Sequence, residues 1–484
     1  IDNQQPIGDI DRGSADSRQL RLSCWPRVAA ELRCWRECIW EPLCLPTPAG
    51  GTARAHGRHA HLREEVEPLS HLGMAAHGPL GREKFIKPLQ QKVKEQGLWA
   101  CHLGPELGGQ GFGQLKLALM NEKLGRNSLA PTIFGCQAPD TGNAEIIAHY
   151  GTEAQKERWL WPLLNGEIRS AFSMSEPTGG SDPLTFQTRA VQDGRDWIIN
   201  GEKWFSTNAR YSKLLVVYAI TDPDAKDPYK RTSIFLVPTD TPGVEIIRNV
   251  AVGGGGEIGG GTEGYVRYNN VRVGPEALLG DRGAAFVIAQ VRLGGGRVHH
   301  AMRTVGACRH ALDLMCQRAV SRTTRDGRLA DLQMVQEQIA DSWIAVESFR
   351  LLVLRTAWLI DKHKDYNKVR KDIAAIKVAM PKVYHDVATK AAHLHGALGV
   401  SNEMPFMRMV TSSLVMGIAD GPTEVHKVTL AKQLLKDYRP ENDLFPSYHI
   451  PRLQEEAKAK YAKELEELKE GYAKLKAERE KEKA

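Results

Sequence analysis

Apolar positions change their spacing repeatedly along the 484-residue chain, and each change predicts a different architecture. From 62 to 169 the helical period dominates: Phe85, Ile86, Leu89, Val93 and Leu98 recur near i, i+3 and i+4, and Gly97 suits a helix end. A Gly-rich loop, PELGGQGFGQ, leads into more helix from Leu115 to Leu124. The segment TGNAEIIAHYGTEAQKERWLWPLLNGEI predicts two further helices parted at Gly151. From 170 to 282 the period becomes two. WIINGEKWFSTN, LLVVYAIT, TSIFLVP and YVRYNNVRV are short runs divided by Asp-Gly, Pro-Gly and Asn-Asn turns, a compact antiparallel β-domain. Helices return from 283 to 440. Leu332, Val335, Ile339, Trp343, Val346 and Val353 keep one face apolar through 329–360, and 366–395 and 423–437 behave alike, which suits an antiparallel four-helix bundle. The fold class is therefore α+β, with a β-domain between two helical domains.

Both ends depart from this plan. Residues 1–61 fit neither helix nor strand templates and are expected to be an irregular extension. The stretch 452–484 predicts one charged helix, with Tyr461, Leu465, Leu468, Tyr472 and Leu475 as a heptad seam. That seam suits a solvated terminal helix or a coiled-coil contact, and Gly471 weakens the second use. No apolar run approaches the ~18–20 residues of a membrane span. A net charge of +7, from 65 basic and 58 acidic residues, is too mild for a nucleic-acid footprint. Cys24, Cys34, Cys38 and Cys44 lack metal-site spacing, the other four cysteines read as reduced core thiols, and no metal is expected. The start, with Asp2, Asp9, Asp11 and Asp16, does not resemble a signal peptide.

Among chemical motifs, H-E-x-x-H, the P-loop and the G-x-S-x-G elbow are all missing. Gly254-x-Gly256-x-x-Gly259 falls between strands without a following helix, so it reads as a flexible loop. Four segments remain. FSMSEPTGGSD gathers Ser175, Glu176, Thr178 and Ser181 around two glycines, either a polar-ligand loop or an ordinary hydrogen-bonded turn. GEKWFSTNA sets two aromatics beside Ser206 and Thr207, which suits a planar ring or a half-buried hairpin. HGALGVSNEMPFMRM breaks a helix at Gly396 and Gly399. In IADGPTEVH, Asp420 is either a helix cap or a partly desolvated base whose pKa rises among apolar neighbours.

The order of these segments resembles the acyl-CoA dehydrogenase family from about Leu62 to Arg439, and within it the subgroup with aspartate in the catalytic turn. The strings are EQGLW, PELGGQGFG, PDTGNAE, GEIRSAFSMSEPTGGSD, INGEKWFST, RLGGGRVHHAMR, HGALGVSNEMP and ADGPTEVH. The resemblance implies a helical domain, a β-barrel, a four-helix bundle and bound FAD. It places Phe172, Met174 and Ser175 along the flavin ring, and Phe205, Ser206 and Thr207 on its other side with Thr207 near N5. From a neighbouring subunit, Arg322 would reach the pyrophosphate, and His393, Gly396 and Gly399 the adenosine half. Pro422 and Glu424 would touch the cofactor again. Ser181 and Arg297 would face the acyl-CoA. The sequence departs from the family pattern at Arg325, where an aromatic residue is usual, and at His393, where glutamine is usual.

The implied reaction is α,β-dehydrogenation of an acyl-CoA to a trans-2-enoyl-CoA, as in fatty-acid catabolism. Asp420 would take the α-proton and flavin N5 the β-hydride. Oxyanion stabilisation of the thioester is worth about 3–4 kcal/mol per donor in comparable sites. The alternative position for the base is Gly296, which cannot serve. The resemblance further implies an electron-transfer flavoprotein as acceptor, a homodimer or homotetramer, and a cytoplasmic location, mitochondrial or peroxisomal in a eukaryote. Two rival readings are a flavin oxidase of the same fold, acting on acyl-CoA or nitroalkanes, and a non-catalytic scaffold with a decayed site.

Overall fold

The computed structural model describes residues 65–72, 79–107, 109–253 and 261–482. The expected irregular extension, its four cysteines and the Gly254–Gly259 loop lie outside them. The chain divides after Gly81 into two units. The described part of the first holds the helical turns Glu67–Ser70 and Pro79–Gly81.

The second unit opens with helices Lys87–Glu95 (α1), Gly113–Leu124 (α2) and Asp140–Tyr150 (α3). The predicted stripe of α1 is real: Ile86, Leu89 and Val93 are buried. Its end is closed by Gly97 N–H to Lys94 C=O and Leu98 N–H to Val93 C=O, the paired bonds of a Schellman stop.

Eight strands follow: Ser170–Ser173 (β1), Arg189–Asp193 (β2), Asp196–Thr207 (β3), Leu214–Ile220 (β4), Thr232–Pro238 (β5), Val244–Val250 (β6), Glu263–Val273 (β7) and Leu278–Leu279 (β8). They form one sheet in the order β6-β7-β3-β2-β4-β5-β8, with β1 beside β4. All ladders are antiparallel except the pairings of β4 with β1 and β2. β4 and β5 are apolar on both faces, and the fold uses both. Leu214, Val216 and Tyr218 pack with Ile146 and Ile147 of α3, whereas Leu215, Val217 and Ala219 join Trp197, Val266 and Tyr268 inside the β-domain. A strand buried on two sides loses alternation, which is why these runs read as continuous.

The C-terminal part is built from Ala285–Ser321 (α4), Gln333–His363 (α5), Arg370–His395 (α6), Phe406–Ile418 (α7) and Thr423–Leu435 (α8). α4, 37 residues long, packs against α2, α3, α5, α6 and β5. The terminal stretch differs from expectation: it is two helices, Ile450–Lys460 (α9) and Ala462–Glu482 (α10), broken at Tyr461. The expected seam residues Tyr461, Leu465, Leu468, Tyr472 and Leu475 are exposed. Cys101, Cys136 and Cys308 are free and buried, as the sequence suggests. No helix among the described residues is long and apolar enough to cross a membrane.

A buried charge cluster joins the helical layers. Glu122 of α2 lies 2.9 Å from Arg309 of α4 and 2.7 Å from Arg350 of α5. Removing the shared carboxylate leaves the buried Arg350 guanidinium without its partner, while Arg309 keeps Glu347. Glu122→Leu is therefore expected to lower stability by about 3–5 kcal/mol in denaturant titrations. A loss below about 1 kcal/mol would mean that apolar packing alone holds the layers.

Candidate active site

The turn between α7 and α8 carries Asp420 at φ 55 and Gly421 at φ 103. Left-handed backbone is costly for aspartate, and the structure shows what holds it. Arg297 donates its Nε–H to the Asp420 carbonyl at 2.8 Å, and His426 Nε2 stands 3.3 Å from the same oxygen. A Cβ at Gly421 would meet that histidine nitrogen at 2.8 Å. Pro422 is the N-cap of α8, and no side chain caps it. The cap reading of Asp420 therefore fails: its carboxylate turns away from the helix it precedes.

The carboxylate lies against α4. Oδ2 would be 2.9 Å from a Cβ at Gly296, so the glycine leaves the space the carboxylate fills. Arg292 Nη1 is 3.5 Å from Oδ1 and His300 Nε2 is 3.7 Å from Oδ2. Arg292, Gly296 and His300 are spaced by four, one stripe of the helix. The expectation of a raised pKa is corrected here. Burial does push the Asp420 carboxyl up, but Arg292, His300, Arg297 and Lys377 outweigh it and leave the group below its ordinary value. Burial holds His300 down to about 4, so its ring is neutral at pH 7 and acts as a polar neighbour. Burial likewise lowers Lys377 to about 8, against the pull of Asp420.

A second wall meets this one through Arg292, whose guanidinium lies 4.2 Å from the centre of the Phe172 ring. Beyond Phe172, Met174 and Ser175 use their carbonyls internally. Met174 accepts from Lys203 Nζ at 2.7 Å, and Ser175 accepts from the Trp204 amide at 3.0 Å. Lys203 is fully buried and pairs at 2.8 Å with Glu176, which also accepts from the amides of Gln187 and Thr188. The FSMSEPTGGSD loop is thus a hydrogen-bonded turn tied by a buried ion pair to β3. Next to that tie the β3–β7 register slips, and Phe205 takes φ 51 with 42% of its surface exposed. Its ring stands 4.7 Å from that of Trp204.

Thr207 donates to Glu263 Oε2 at 2.6 Å across the β3–β7 pair. Ser206 differs from expectation, because its side chain points inward and its Oγ is 2.9 Å from that of Ser173. The residue as a whole is buried. Ser181 is exposed beside the turn that Asp182 caps. Glu424 is exposed on the first turn of α8. Arg322 closes α4, while His393 and Gly396 end α6, all exposed. Gly399 is buried, and a Cβ there would strike the Ala392 carbonyl at 2.0 Å. These last four residues are not brought to Asp420: about 39 Å of helix separates Gly296 from Arg322 at 1.5 Å per residue.

Exposed Phe205 beside half-buried Trp204, the nearby Thr207 hydroxyl and the Phe172 strand fit a flat heteroaromatic ring such as a flavin. Sequence reasoning missed Arg292, His300, Lys377 and Lys203. The four-residue spacing in RLGGGRVHH was the available signal for the first two. Nothing local marks the lysines.

Three family models cover most of the chain: the acyl-CoA dehydrogenase N-terminal domain at 59–167, the middle domain at 171–259 and the C-terminal domain at 282–435. The chain is 42% identical over 352 residues to a probable acyl-CoA dehydrogenase, FadE2, of Mycobacterium tuberculosis, covering 72% of this chain and 85% of that protein. It is 41% identical over 360 residues to mouse acyl-CoA dehydrogenase family member 11, covering 74% of this chain but only 46% of that relative. A solved structure of a putative acyl-CoA dehydrogenase from Mycobacterium abscessus superposes with a TM-score of 0.73 at 37% identity, covering 81% of this chain and all of that one. The chain belongs to the acyl-CoA dehydrogenase family of FAD-dependent oxidoreductases.

Burial has a consequence for acid stability. His102, His300 and His426 are held at about 4, and His299 well below its ordinary 6.5. The unfolded chain takes up protons at these rings near pH 6.5, whereas in the folded chain His102, His300 and His426 resist until about pH 4 and burial lowers His299 as well. Their contribution is therefore present above pH 6.5 and lost as pH falls, on the order of 3 kcal/mol at most for each of the first three. Melting temperature should drop steeply across that window, and less steeply when His102 and His299 are both glutamine. Equal slopes would remove these rings from the account.

Proposed function

We propose that the protein is an acyl-CoA dehydrogenase that converts an acyl-CoA thioester to a trans-2-enoyl-CoA, with Asp420 as the base. The observation that supports this best is the placement of Asp420 in a left-handed turn, against a side-chain-free stretch of α4 and one arginine away from Phe172. Bound FAD supplies the acceptor for the hydride of the β-carbon. Phe172, Met174, Ser175, Phe205 and Thr207 would hold its ring, whereas Ser206 is buried against Ser173 behind them. Asp420 accepts the α-proton at a carboxylate oxygen. Arg297 fixes the turn through the Asp420 carbonyl, while Arg292 and His300 orient the carboxylate.

A carboxylate held below its ordinary pKa is a weak base. The acidity of the α-carbon must then come from hydrogen bonds to the thioester oxygen, each worth about 3–4 kcal/mol in comparable sites. Arg322, His393 and Gly396 sit too far along the bundle to serve the same flavin from one chain. The reading therefore includes a dimer or larger oligomer in which a second copy holds the adenosine end. Electrons pass onward to an electron-transfer flavoprotein.

The experiment is an anaerobic visible titration of the purified, FAD-loaded protein with acyl-CoAs of increasing chain length. Wild type should bleach with one chain class. Asp420→Asn should keep FAD and bind the same acyl-CoA, yet bleach about a thousandfold more slowly. Fast reaction of the bleached protein with O₂ would move the assignment to an oxidase. A folded protein that takes up no FAD would leave the scaffold reading.

Gly296→Ala tests the geometry of the base. A Cβ 2.9 Å from Oδ2 must push the carboxylate aside. Flavin reduction should slow about ten- to a hundredfold with little change in melting temperature. Unchanged reduction would show that the close approach is dispensable.

A further inference from the structure

The glycine run of α4 admits more than the base. A Cβ at Gly295 would lie 2.9 Å from Glu145 Oε2 and 3.3 Å from the Tyr366 hydroxyl, and one at Gly294 would lie 3.5 Å from the Tyr366 ring. Glu145 comes from α3 and Tyr366 from the α5–α6 connection, and the tyrosine hydroxyl hydrogen-bonds the carboxylate. Three consecutive glycines thus face three polar groups: Tyr366, Glu145 and Asp420. Arg292 belongs to the same cluster. Its charge acts on both Glu145 and Asp420, and its Nε donates to Asn143 Oδ1 of α3 at 3.4 Å. Its Cγ lies 3.0 Å from where a Gly142 Cβ would stand. The arginine therefore pairs with Asp420 at 3.5 Å while its charge also reaches Glu145.

On the dehydrogenase reading above, we propose that Glu145, held by Tyr366, is a positioning residue that shares Arg292 with Asp420 and sets how firmly that arginine holds the base. With Glu145 neutral, Arg292 serves Asp420 alone. With Glu145 ionised, the same charge is divided between two carboxylates, and Asp420 becomes a better proton acceptor. Burial raises Glu145 to about 7, against Arg292 and the Tyr366 hydrogen bond, so this division changes near neutral pH. The charged and titratable groups facing Glu145 are Arg292 from α4 and Tyr366 from the α5–α6 connection. Asp361 acts on Tyr366 from behind, and Asp420 lies across Arg292.

The test is stopped-flow flavin reduction of the FAD-loaded enzyme from pH 5.5 to 9, with the acyl-CoA that bleaches it. Wild type should show a step near pH 7, with the alkaline rate about three- to tenfold above the acid rate. Glu145→Gln should lose the step and stay near the acid rate. Tyr366→Phe keeps the acid but removes a hydrogen bond that favours its ionised form, so the step should move to higher pH. A step retained in Glu145→Gln, or left in place by Tyr366→Phe, would overturn the proposal.

A second readout needs no substrate. A folded pKa above the ordinary 4.5 gives stability that is full below pH 4.5 and lost as pH rises through about 7. Relative to wild type, Glu145→Gln should gain melting temperature across that interval. Parallel curves would overturn the buried-acid assignment, whereas failure of every acyl-CoA to bleach wild type would count against the dehydrogenase reading instead.

Discussion

One helix serves all three layers of the molecule, and the site depends on what that helix omits. α4 touches α2 and α3, the β-domain at β5, and its own bundle partners. A helix so enclosed would ordinarily present large apolar side chains all round. At Gly294, Gly295 and Gly296 it presents backbone instead, and Tyr366, Glu145 and Asp420 fill the strip. Each glycine costs about 1 kcal/mol of helix stability relative to alanine. That cost falls within a 37-residue helix clamped on several sides, where local unwinding would expose the packed layers. The gain is geometric: polar groups from three other segments approach one helix more closely than any side chain would allow.

The two walls of the site are stiffened by opposite means. Asp420 is held through its own carbonyl, which leaves the carboxylate turned towards Arg292 and His300 of α4. The Phe172–Thr207 wall is held by a buried charge pair. Glu176 and Lys203 are both buried, and the lysine reaches back to the Met174 carbonyl and lies 4.7 Å from the Phe186 ring centre. Removing either partner would leave an unpaired charge inside the β-domain. That rigidity lets the next residues of β3 break register and hold Phe205 in a conformation that regular strands avoid. Strain is stored where the surrounding structure leaves no alternative.

Much of this was legible from spacing, and the failures have particular causes. The α1 stripe follows from period alone, and so does the α5 face at Val335, Val346 and Val353, although Leu332 and Trp343 of the expected face are exposed. Asp420 stood out as an acid between an apolar helix and a Gly-Pro turn, but its reading as a base came from the family resemblance. Its pKa was misjudged because the flanking residues are apolar while the cations arrive from α4 and α6, far away in sequence. Ser206 was placed correctly on β3, but which face a strand residue shows depends on register, and the slip beside Phe205 decides it. The break at Tyr461 is invisible in composition, since every neighbour favours helix. Glu145 lay within a quoted motif, PDTGNAE, yet its partner Tyr366 is two helices away.

The distribution of the remaining candidates follows from the direction of the bundle. α4 and α6 end together, since Arg318 of one acts on His395 of the other. Arg322 and His393 therefore both lie towards the end of the bundle remote from Asp420. Both are exposed, as is Gly396, which has no atom within 4 Å of a notional Cβ. A basic, open helix end of this kind suits a phosphate-bearing ligand that arrives from outside the chain. A dinucleotide held at both this end and the Phe172–Thr207 wall cannot lie within one protomer, because the helix between them spans about 39 Å. Under the proposed function the two ends meet across copies. On that reading, the same length of α4 that lets one helix brace three layers obliges the cofactor to be shared.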